Sequence, residues 1–262
     1  MNRPNILVLS GHDPSGGAGL QADIESAAAN GAHAAVVPTL LTCQDTTNVY
    51  DVQAVDADFF SRSLDCVCAD MRFGAIKIGA LADADQVARI ARLTQDLPDI
   101  ALVVDPVLRA AGGGRLADDA VARALIDQLF ERAWVITPNA AEARLLCDGQ
   151  ADIDACGRQL SDLARAVLIT GGDEDDSEVV NRLYVRGQPM RTMRWPRLAG
   201  VFHGSGCTLA SAIAAQLARG QELDDALEAA QAYTWHTLEH AFTAGRGQRI
   251  PARLDERVLP AR

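Results

Sequence analysis

Short, unbroken apolar runs separated by helical stretches constrain the fold of this chain more than any other feature. Residues 5–9 (NILVL), 101–104 (ALVV) and 166–170 (AVLIT) lack the polar alternation of a strand with one wet face. Such runs are typical of strands buried on both faces of a parallel sheet. Helical patterns between them, as at residues 20–30, indicate repeated β–α–β units. We therefore predict one α/β domain over residues 1–262, with a mostly parallel central sheet and helices on both faces.

The remaining elements follow from the same patterns. Further strands are predicted at residues 34–42, 49–55, 75–78 and 134–137, and two antiparallel strands near 179–186 and 190–195. Further helices are predicted at residues 58–71, 83–97, 118–132, 140–147, 204–219 and 224–242. In such sheets a ligand binds outside the carboxyl ends of the strands, so the residues that follow each strand are the ones to search for chemistry.

Composition excludes several classes of function. A net charge of −11 over 262 residues disfavours the phosphate-dominated contacts that DNA or RNA binding requires. No apolar run reaches the ~18 residues of a membrane span, and the first residues show no signal-peptide pattern. The six cysteines include no CxxC pair, so we expect reduced thiols and no zinc site. These features predict a soluble cytoplasmic protein without nucleic-acid or membrane partners.

Two predicted strand ends carry residues suited to a small polar ligand. The glycine-rich loop, residues 11–19, lets the backbone approach a ligand closely, although a structural turn is an equal alternative. Asp23 follows one turn into the next helix, where it can equally compensate the helix dipole. Gln44, after the second strand, offers the donor and acceptor needed to read an aminopyrimidine edge. A solvated loop amide is the alternative for Gln44.

Two further strand ends carry oxygen ligands. Asp105 follows the run at residues 101–104 and precedes Val107 and a glycine run at residues 112–114. Asn139 and Glu142 are three residues apart at a predicted helix start, so their side chains can face each other. Hard oxygen ligands of this kind suit Mg²⁺, directly or through water. The alternative is a helix-capping box, in which the pair bonds only to its own backbone.

The most specific segment is HGSGCT at residues 203–208, which opens a predicted helix. Glycines at the helix start leave several N–H groups pointing at one spot, and the helix dipole favours negative charge there. We call residues 204–207 (Gly204, Ser205, Gly206 and Cys207) the anion hole, because such donors suit a transferring phosphoryl group. At this helix end we expect a lowered pKa for the thiol of Cys207. A buried cysteine on the packing face is the alternative.

Taken in order, these segments resemble the hydroxymethylpyrimidine/phosphomethylpyrimidine kinases of thiamine biosynthesis, in the ribokinase-like superfamily. The resemblance extends from residue 6 to about residue 215. It implies a three-layer α/β fold and ATP-dependent phosphorylation of 4-amino-5-hydroxymethyl-2-methylpyrimidine and then of its monophosphate. The matching segments are SGHDPSGGAGLQAD (10–23), TCQD (42–45), KIGALA (77–82), VVDPV (103–107), ITPNAAEA (136–143) and HGSGCTLASAI (203–213).

The resemblance also implies roles for single residues. Asp23 and Gln44 correspond to groups that hydrogen-bond the pyrimidine. Asn139 and Glu142 correspond to a segment that organises Mg²⁺ and the phosphates of ATP. Cys207 stands where related sugar kinases carry a catalytic aspartate, so it is expected to accept or orient the proton of the substrate hydroxyl, with Asp23 as the alternative. The residues implied to line the pyrimidine pocket are Gly11, Ala18 and Val107, and those implied to form the anion hole are Gly204, Ser205 and Gly206.

Three positions depart from the family pattern. Thr170 stands where the family often has a lysine that meets nucleotide phosphate, so we expect it near the nucleotide. Ala80 replaces a common methionine, and His12 a usual serine. Two alternatives remain: a pyridoxal or pyridoxine kinase, and a pyrimidine-binding relative that has lost catalysis. The expected partners are the small pyrimidine and ATP, with a homodimer as the assembly.

Overall fold

The structure is a computed structural model that describes residues 3–108 and 118–258, so the glycine run at 112–114 lies outside the described residues. The strands are β1 (Asn5–His12), β2 (His33–Gln44), β3 (Val49–Ala54), β4 (Ala75–Ile78), β5 (Ala101–Val104), β6 (Val135–Ile136), β7 (Ala166–Ile169), β8 (Glu178–Val185) and β9 (Arg191–Pro196). The helices are α1 (Gly19–Ala29), α2 (Ala57–Asp70), α3 (Ala84–Gln95), α4 (Asp119–Gln128), α5 (Ala140–Leu146), α6 (Ile153–Ser161), α7 (Ser205–Ala218) and α8 (Leu223–Glu239), with a 3₁₀ turn at Phe130–Arg132.

The strands of the described part form one sheet in the order β3-β2-β1-β4-β5-β6-β7-β8-β9. The six strands from β2 to β7 in that order pair in parallel. Strand β3 at one edge and the β8–β9 hairpin at the other pair antiparallel. The mostly parallel sheet is therefore confirmed, and so are the two antiparallel strands predicted near residues 179–186 and 190–195.

Helices cover both faces of the sheet, as predicted. Successive residues of β1 point to opposite faces, so Leu7 and Leu9 belong to one core and Ile6 and Val8 to the other. The first core packs against α2, α3, α4 and α6, and the second against α1, α7 and α8. Burial on both faces explains why the strand sequences are apolar without alternation. The result is a three-layer α/β architecture.

One helix was missed by the sequence prediction. Helix α6 begins after Asp152, whose side chain caps it, and buries Ile153, Cys156 and Leu160. Gly157 interrupts the helical pattern in the sequence, yet the packing requires it. A Cβ atom there would lie 2.2 Å from the ring of Tyr184, so only glycine lets the helix approach β8 this closely.

The predicted helix at 118–132 is also shorter than expected. Helix α4 ends at Gln128, and Leu129 leaves helical geometry with a φ of −120° before the 3₁₀ turn. None of the helices in the described part of the chain has the length and apolar character needed to cross a bilayer.

Candidate functional site

A cavity of about 640 Å³ lies at the carboxyl ends of the parallel strands. All but one of the predicted site residues line it. Parallel topology brings them together, because every strand of this set ends at the same edge of the sheet. The predicted residues that line the cavity are Gly11, Ala18, Gln44, Val107, Asn139, Glu142, Thr170, Gly204, Ser205, Gly206 and Cys207, and Ala80 and His12 line it as well.

The strand order divides the cavity into two ends. Gly11 and Gln44 end β1 and β2, on one side of the sheet centre. Asn139 and Thr170 follow β6 and β7, on the other side, and form a bridge with each other. We call these the pyrimidine end and the nucleotide end, after the roles that the sequence predicts. The anion hole, at the start of α7, belongs to the same cavity.

Asp13 organises the glycine-rich loop. Its carboxylate accepts hydrogen bonds from the amides of Ser15 and Ala18, each at 2.8 Å, and Nε2 of His203 lies 2.8 Å away. Burial would raise the pKa of Asp13, but hydrogen bonds from His203, Gln44, Ser15 and Ala18 outweigh burial and hold the pKa well below its usual range. This role of Asp13 was not predicted, although an aspartate commonly accepts from the backbone amide two residues further on.

The glycine-rich loop and the anion hole are in direct contact. Gly204 precedes α7 with a φ of +78°, a conformation that favours glycine. A Cβ atom on Gly204 would lie 2.1 Å from the carbonyl oxygen of Gly17. A Cβ atom on Gly17 would lie 2.1 Å from the ring of His203. The missing side chains therefore allow the two segments to approach each other.

The anion hole has the donors that the sequence predicts. No side chain in the described part of the chain caps the start of α7. The first helical turn closes through the amide of Thr208, which donates to the carbonyl of Gly204 at 2.9 Å. The amides of Ser205, Gly206 and Cys207 precede that bond and belong to the turn whose N–H groups have no partner within the helix. They are available to an anion in the cavity.

The prediction of a lowered pKa for Cys207 is wrong. Burial raises the pKa of the thiol to about 12, and the nearby charges of Asp23 and Asp105 act in the same direction. The charge of Lys77 and a hydrogen bond from the amide of Gly19 lower it by less. Removal from water therefore outweighs the helix N-terminus, and Cys207 is a neutral thiol near pH 7.

Asp23 does not line the cavity, in contrast to its predicted contact with the pyrimidine. Its side chain is completely buried, and Oδ1 accepts from Nζ of Lys77 at 2.8 Å and from Oγ of Ser211 at 2.7 Å. Lys77 is 54 residues away in the sequence, so no local pattern indicates that it binds this carboxylate. The Oδ2 atom of Asp23, like that of Asp105, has no hydrogen-bond partner among the described residues.

Lys77 carries a completely buried charge beside a second carboxylate. Burial alone would lower the pKa of Lys77, but the charges of Asp23 and Asp105, with the nearby Cys207 thiol, raise it. Asp105 lines the cavity, and its Oδ2 atom has no hydrogen-bond partner among the described residues. Burial raises the pKa of Asp105 to about 6 despite the charge of Lys77. An unpartnered buried carboxylate oxygen indicates a group that a ligand or cation satisfies.

Asn139 and Glu142 form the capping box of α5. Oδ1 of Asn139 accepts from the amide of Glu142 at 2.8 Å, and Oε2 of Glu142 accepts from the amide of Asn139 at 3.0 Å. Burial and then the charge of Asp105 raise the pKa of Glu142 to about 8. Asp173, which the sequence analysis did not single out, accepts from the first two amides of α5. Asn139 and Glu142 therefore have a structural role whether or not they also bind a ligand.

The carboxylates of Asp105 and Glu142 fit a magnesium ion that is also held by phosphate and water. Burial and the charge of Asp105 disfavour the ionised form of Glu142, and a cation bound between the two carboxyl groups would favour it again. The described residues contain no group of three or more His, Cys, Asp or Glu side chains able to hold a metal. Mg²⁺ commonly uses one or two carboxylates together with substrate phosphates, so the smaller donor set is sufficient.

An aromatic pair lines the nucleotide end. The rings of Trp195 and Trp235 stack at 6.3 Å, and Nε1 of Trp235 donates to the carbonyl of Pro196 at 2.9 Å. Both rings line the cavity. Such a pair offers a flat apolar face to a heteroaromatic ring. Neither tryptophan was predicted to belong to the site.

Comparison with known proteins places the chain among pyrimidine kinases. The sequence matches the family described as phosphomethylpyrimidine kinase over residues 13–252. The hydroxymethylpyrimidine/phosphomethylpyrimidine kinase of Escherichia coli is 34% identical, and the alignment covers 95% of this chain and 96% of that protein. The chloroplastic thiamine biosynthetic bifunctional enzyme TH1 of Arabidopsis thaliana is 35% identical, with 95% of this chain and 49% of that protein covered. The chain thus spans about half the length of the plant relative.

The fold also matches a solved structure. An ADP complex of Bacillus subtilis pyridoxal kinase superposes with a TM-score of 0.90 at 26% identity, and the match covers 98% of this chain and 99% of that chain. This similarity confirms the ribokinase-like fold.

Proposed function

The chain belongs to the phosphomethylpyrimidine kinase family, and on that basis we propose that it phosphorylates 4-amino-5-hydroxymethyl-2-methylpyrimidine and then its monophosphate with ATP, in thiamine biosynthesis. The observation that carries the proposal is one cavity that joins Gln44, the anion hole and Thr170. Such a cavity has room for two substrates on either side of a phosphoryl-binding site. Each phosphorylation consumes one ATP, so ADP leaves and a second ATP binds before the monophosphate is phosphorylated.

At the pyrimidine end, Gln44 reads the edge of the ring that carries the amine. Its amide both donates and accepts, whereas the backbone of Gly11, Ala18 and Val107 shapes the wall of the pocket. The bond from Gln44 to Asp13 helps to fix the orientation of the amide. A fixed amide of this kind selects a ligand that presents a donor and an acceptor side by side.

At the anion hole, the amides of Ser205, Gly206 and Cys207 stabilise the charge of the transferring phosphoryl group. Phosphoryl transfer depends on positioning and charge neutralisation more than on covalent chemistry, so backbone donors are well suited to it. The Cys207 thiol is neutral near pH 7, so it orients the substrate hydroxyl and does not act as a general base. This role revises the one expected from the sequence.

At the nucleotide end, ATP lies along Asn139 and Thr170 with its base near Trp195 and Trp235. Thr170 offers a neutral hydroxyl where the family often has a lysine. The amides of the anion hole therefore stabilise the negative charge of the phosphates in place of that lysine. Mg²⁺, when bound near Asp105 and Glu142, neutralises phosphate charge. The ADP complex of the Bacillus subtilis relative supports a nucleotide in this fold.

The proposal is tested by the mass of the product formed from the pyrimidine alcohol and MgATP. We expect the monophosphate first and the diphosphate after longer incubation. Failure to form either, with intact binding of the pyrimidine by calorimetry, would identify a binding protein that has lost catalysis. Thr170 motivates this alternative. A substrate that is phosphorylated only once would limit the proposal to the first step.

Pyridoxal kinase is the second candidate function, because the Bacillus subtilis structure of that name superposes so closely. Measuring kcat/KM for both alcohols under MgATP separates the two functions. We expect the aminopyrimidine to be preferred, since Gln44 can pair with its amine. A homodimer, a cytoplasmic location and a single domain over residues 1–262 stay predictions, and light scattering of the purified chain tests the first.

A further inference from the structure

Arg253 is a completely buried arginine outside every motif that the sequence analysis singled out. Its side chain is 0% exposed and lies in the segment that follows α8. Burying a guanidinium is costly unless its donors are all used. Here the donors reach three separate parts of the fold: the glycine-rich loop, helix α1 and helix α7.

On one side, Arg253 holds the glycine-rich loop. Nη1 donates to the carbonyl of Gly16 at 3.4 Å, and Nη2 donates to the carbonyl of Gly17. The carbonyl oxygen of Gly17 is also the atom that a Cβ atom on Gly204 would meet, at 2.1 Å. Arg253 therefore fixes the very carbonyl through which the loop touches the anion hole.

On the other side, Arg253 holds the first turn of α7. Nε donates to Oγ1 of Thr208 at 2.8 Å. That hydroxyl donates in turn to the carbonyl of Gly204 at 2.8 Å. The guanidinium is thus linked to Gly204 by two routes, one through Gly17 and one through Thr208.

The segment around Arg253 also contacts other parts of the site. The amide of His203 donates to the carbonyl of Arg249 at 2.9 Å, and the amide of Gln248 donates to the carbonyl of Thr46 at 2.8 Å. Thr46 lies two residues after Gln44. The segment is therefore tied to the pyrimidine end as well as to the residue before the anion hole.

We propose that Arg253 is a positioning residue that sets the distance between the glycine-rich loop and the anion hole. This inference rests on the proposed function, because it concerns the alignment of the substrate hydroxyl with the phosphoryl group. Transfer requires that alignment within a fraction of an ångström, so a small displacement of the loop costs rate. Arginine suits the task because its planar fork donates in several fixed directions, whereas a lysine ammonium acts as a compact point charge.

The test is kinetic and uses Arg253→Ala in the full chain. We expect kcat for pyrimidine phosphorylation to fall about 100-fold. The dissociation constant of MgADP, measured by calorimetry, should stay within about twofold, because ADP lacks the transferring phosphoryl group and no hydrogen bond of Arg253 in the described residues reaches Asn139 or Thr170. Added guanidinium at concentrations below those that unfold the protein should restore part of kcat. The matched control is Arg257→Ala, an exposed arginine in the same segment that pairs with Asp255.

Each result has a defined meaning. Wild-type kcat in Arg253→Ala overturns the inference, and so does a loss of kcat that parallels a loss of MgADP binding. If Arg253→Ala does not fold, Arg253→Lys replaces it, and folded Arg253→Lys should lose at least tenfold in kcat. Failure of both to fold assigns Arg253 a purely structural role and also overturns it. An inactive wild-type chain, by contrast, refutes the proposed function itself.

Discussion

The ammonium of Lys77 lies 2.8 Å from the carboxylate of Asp23, and neither side chain is exposed at all. Ser211 of α7 donates to the same carboxylate oxygen, so the pair joins α1, β4 and α7. A residue expected to touch the ligand is thus part of the support for the anion hole. This contact decides which property a substitution of Asp23 should change.

Asp23→Asn should lower the free energy of unfolding by about 3 kcal/mol, because it leaves the charge of Lys77 buried with less compensation. Denaturant unfolding measures this loss. The matched control is Asp224→Asn, which breaks an exposed pair with Arg191 at 2.7 Å and should cost about 1 kcal/mol or less. Unchanged stability together with a raised pyrimidine KM would show that the carboxylate reaches the ligand.

Gln44→Ala should raise KM for the pyrimidine about tenfold, since an unpaired polar group in a ligand site costs of the order of 1–3 kcal/mol. KM for ATP should stay within about twofold. The preference over an analogue that lacks the amine should shrink in the same variant. Gln53→Ala, an exposed glutamine on the neighbouring strand β3, is the control. Equal effects on both KM values would place the pyrimidine elsewhere in the cavity.

The raised pKa of Cys207 predicts a specific pH dependence. With a pKa of about 12, only about one thiol in ten thousand is ionised at pH 8. If the thiolate were the base, kcat would rise tenfold per pH unit between pH 7 and 9. We expect no such rise, and Cys207→Ser should keep kcat within about tenfold of the wild type.

Alkylation provides an independent check on Cys207. Iodoacetamide at pH 7.5 should modify exposed Cys43 well before Cys207, as peptide mass mapping would show. Faster reaction at Cys207 would support the lowered thiol pKa that was expected from the sequence.

Trp195→Ala should raise KM for ATP about fivefold by removing one face of the stacked pair, since such stacking contributes about 1 kcal/mol. KM for the pyrimidine should not change. Trp134→Phe is a suitable control, because that ring packs against Arg165 and does not line the cavity. Quenching of tryptophan fluorescence by MgADP in the wild type and not in Trp195→Ala would support the same assignment.

The sequence was sufficient for the sheet and for most of the cavity. Gln44, Asn139 and Gly204 could be assigned to one site because each follows a strand or opens a helix. Parallel strands end at the same edge of the sheet, which brings these residues to one cavity. Contacts between distant segments could not be found this way. The sequence around Lys77, which binds Asp23, has no pattern that indicates this partner, and the same is true of Arg253.

The thiol of Cys207 shows a different limit of sequence reasoning. Its position at the start of α7 is visible in the sequence, but the cost of removing a thiolate from water depends on packing that only the fold supplies. The same holds for Gly157, which weakens the helical pattern of α6 and is explained only by the ring of Tyr184.

The strand order has a consequence for inhibitor design. Gln44 ends β2 and Thr170 follows β7, five strand spacings apart in the sheet. At about 4.8 Å per spacing, the two positions are separated by roughly 24 Å across the sheet. A single molecule that carries both an aminopyrimidine and an adenosine would have to bridge most of this span with an anionic linker passing the start of α7. Shorter conjugates would occupy one end of the cavity and leave the other open to the natural substrate.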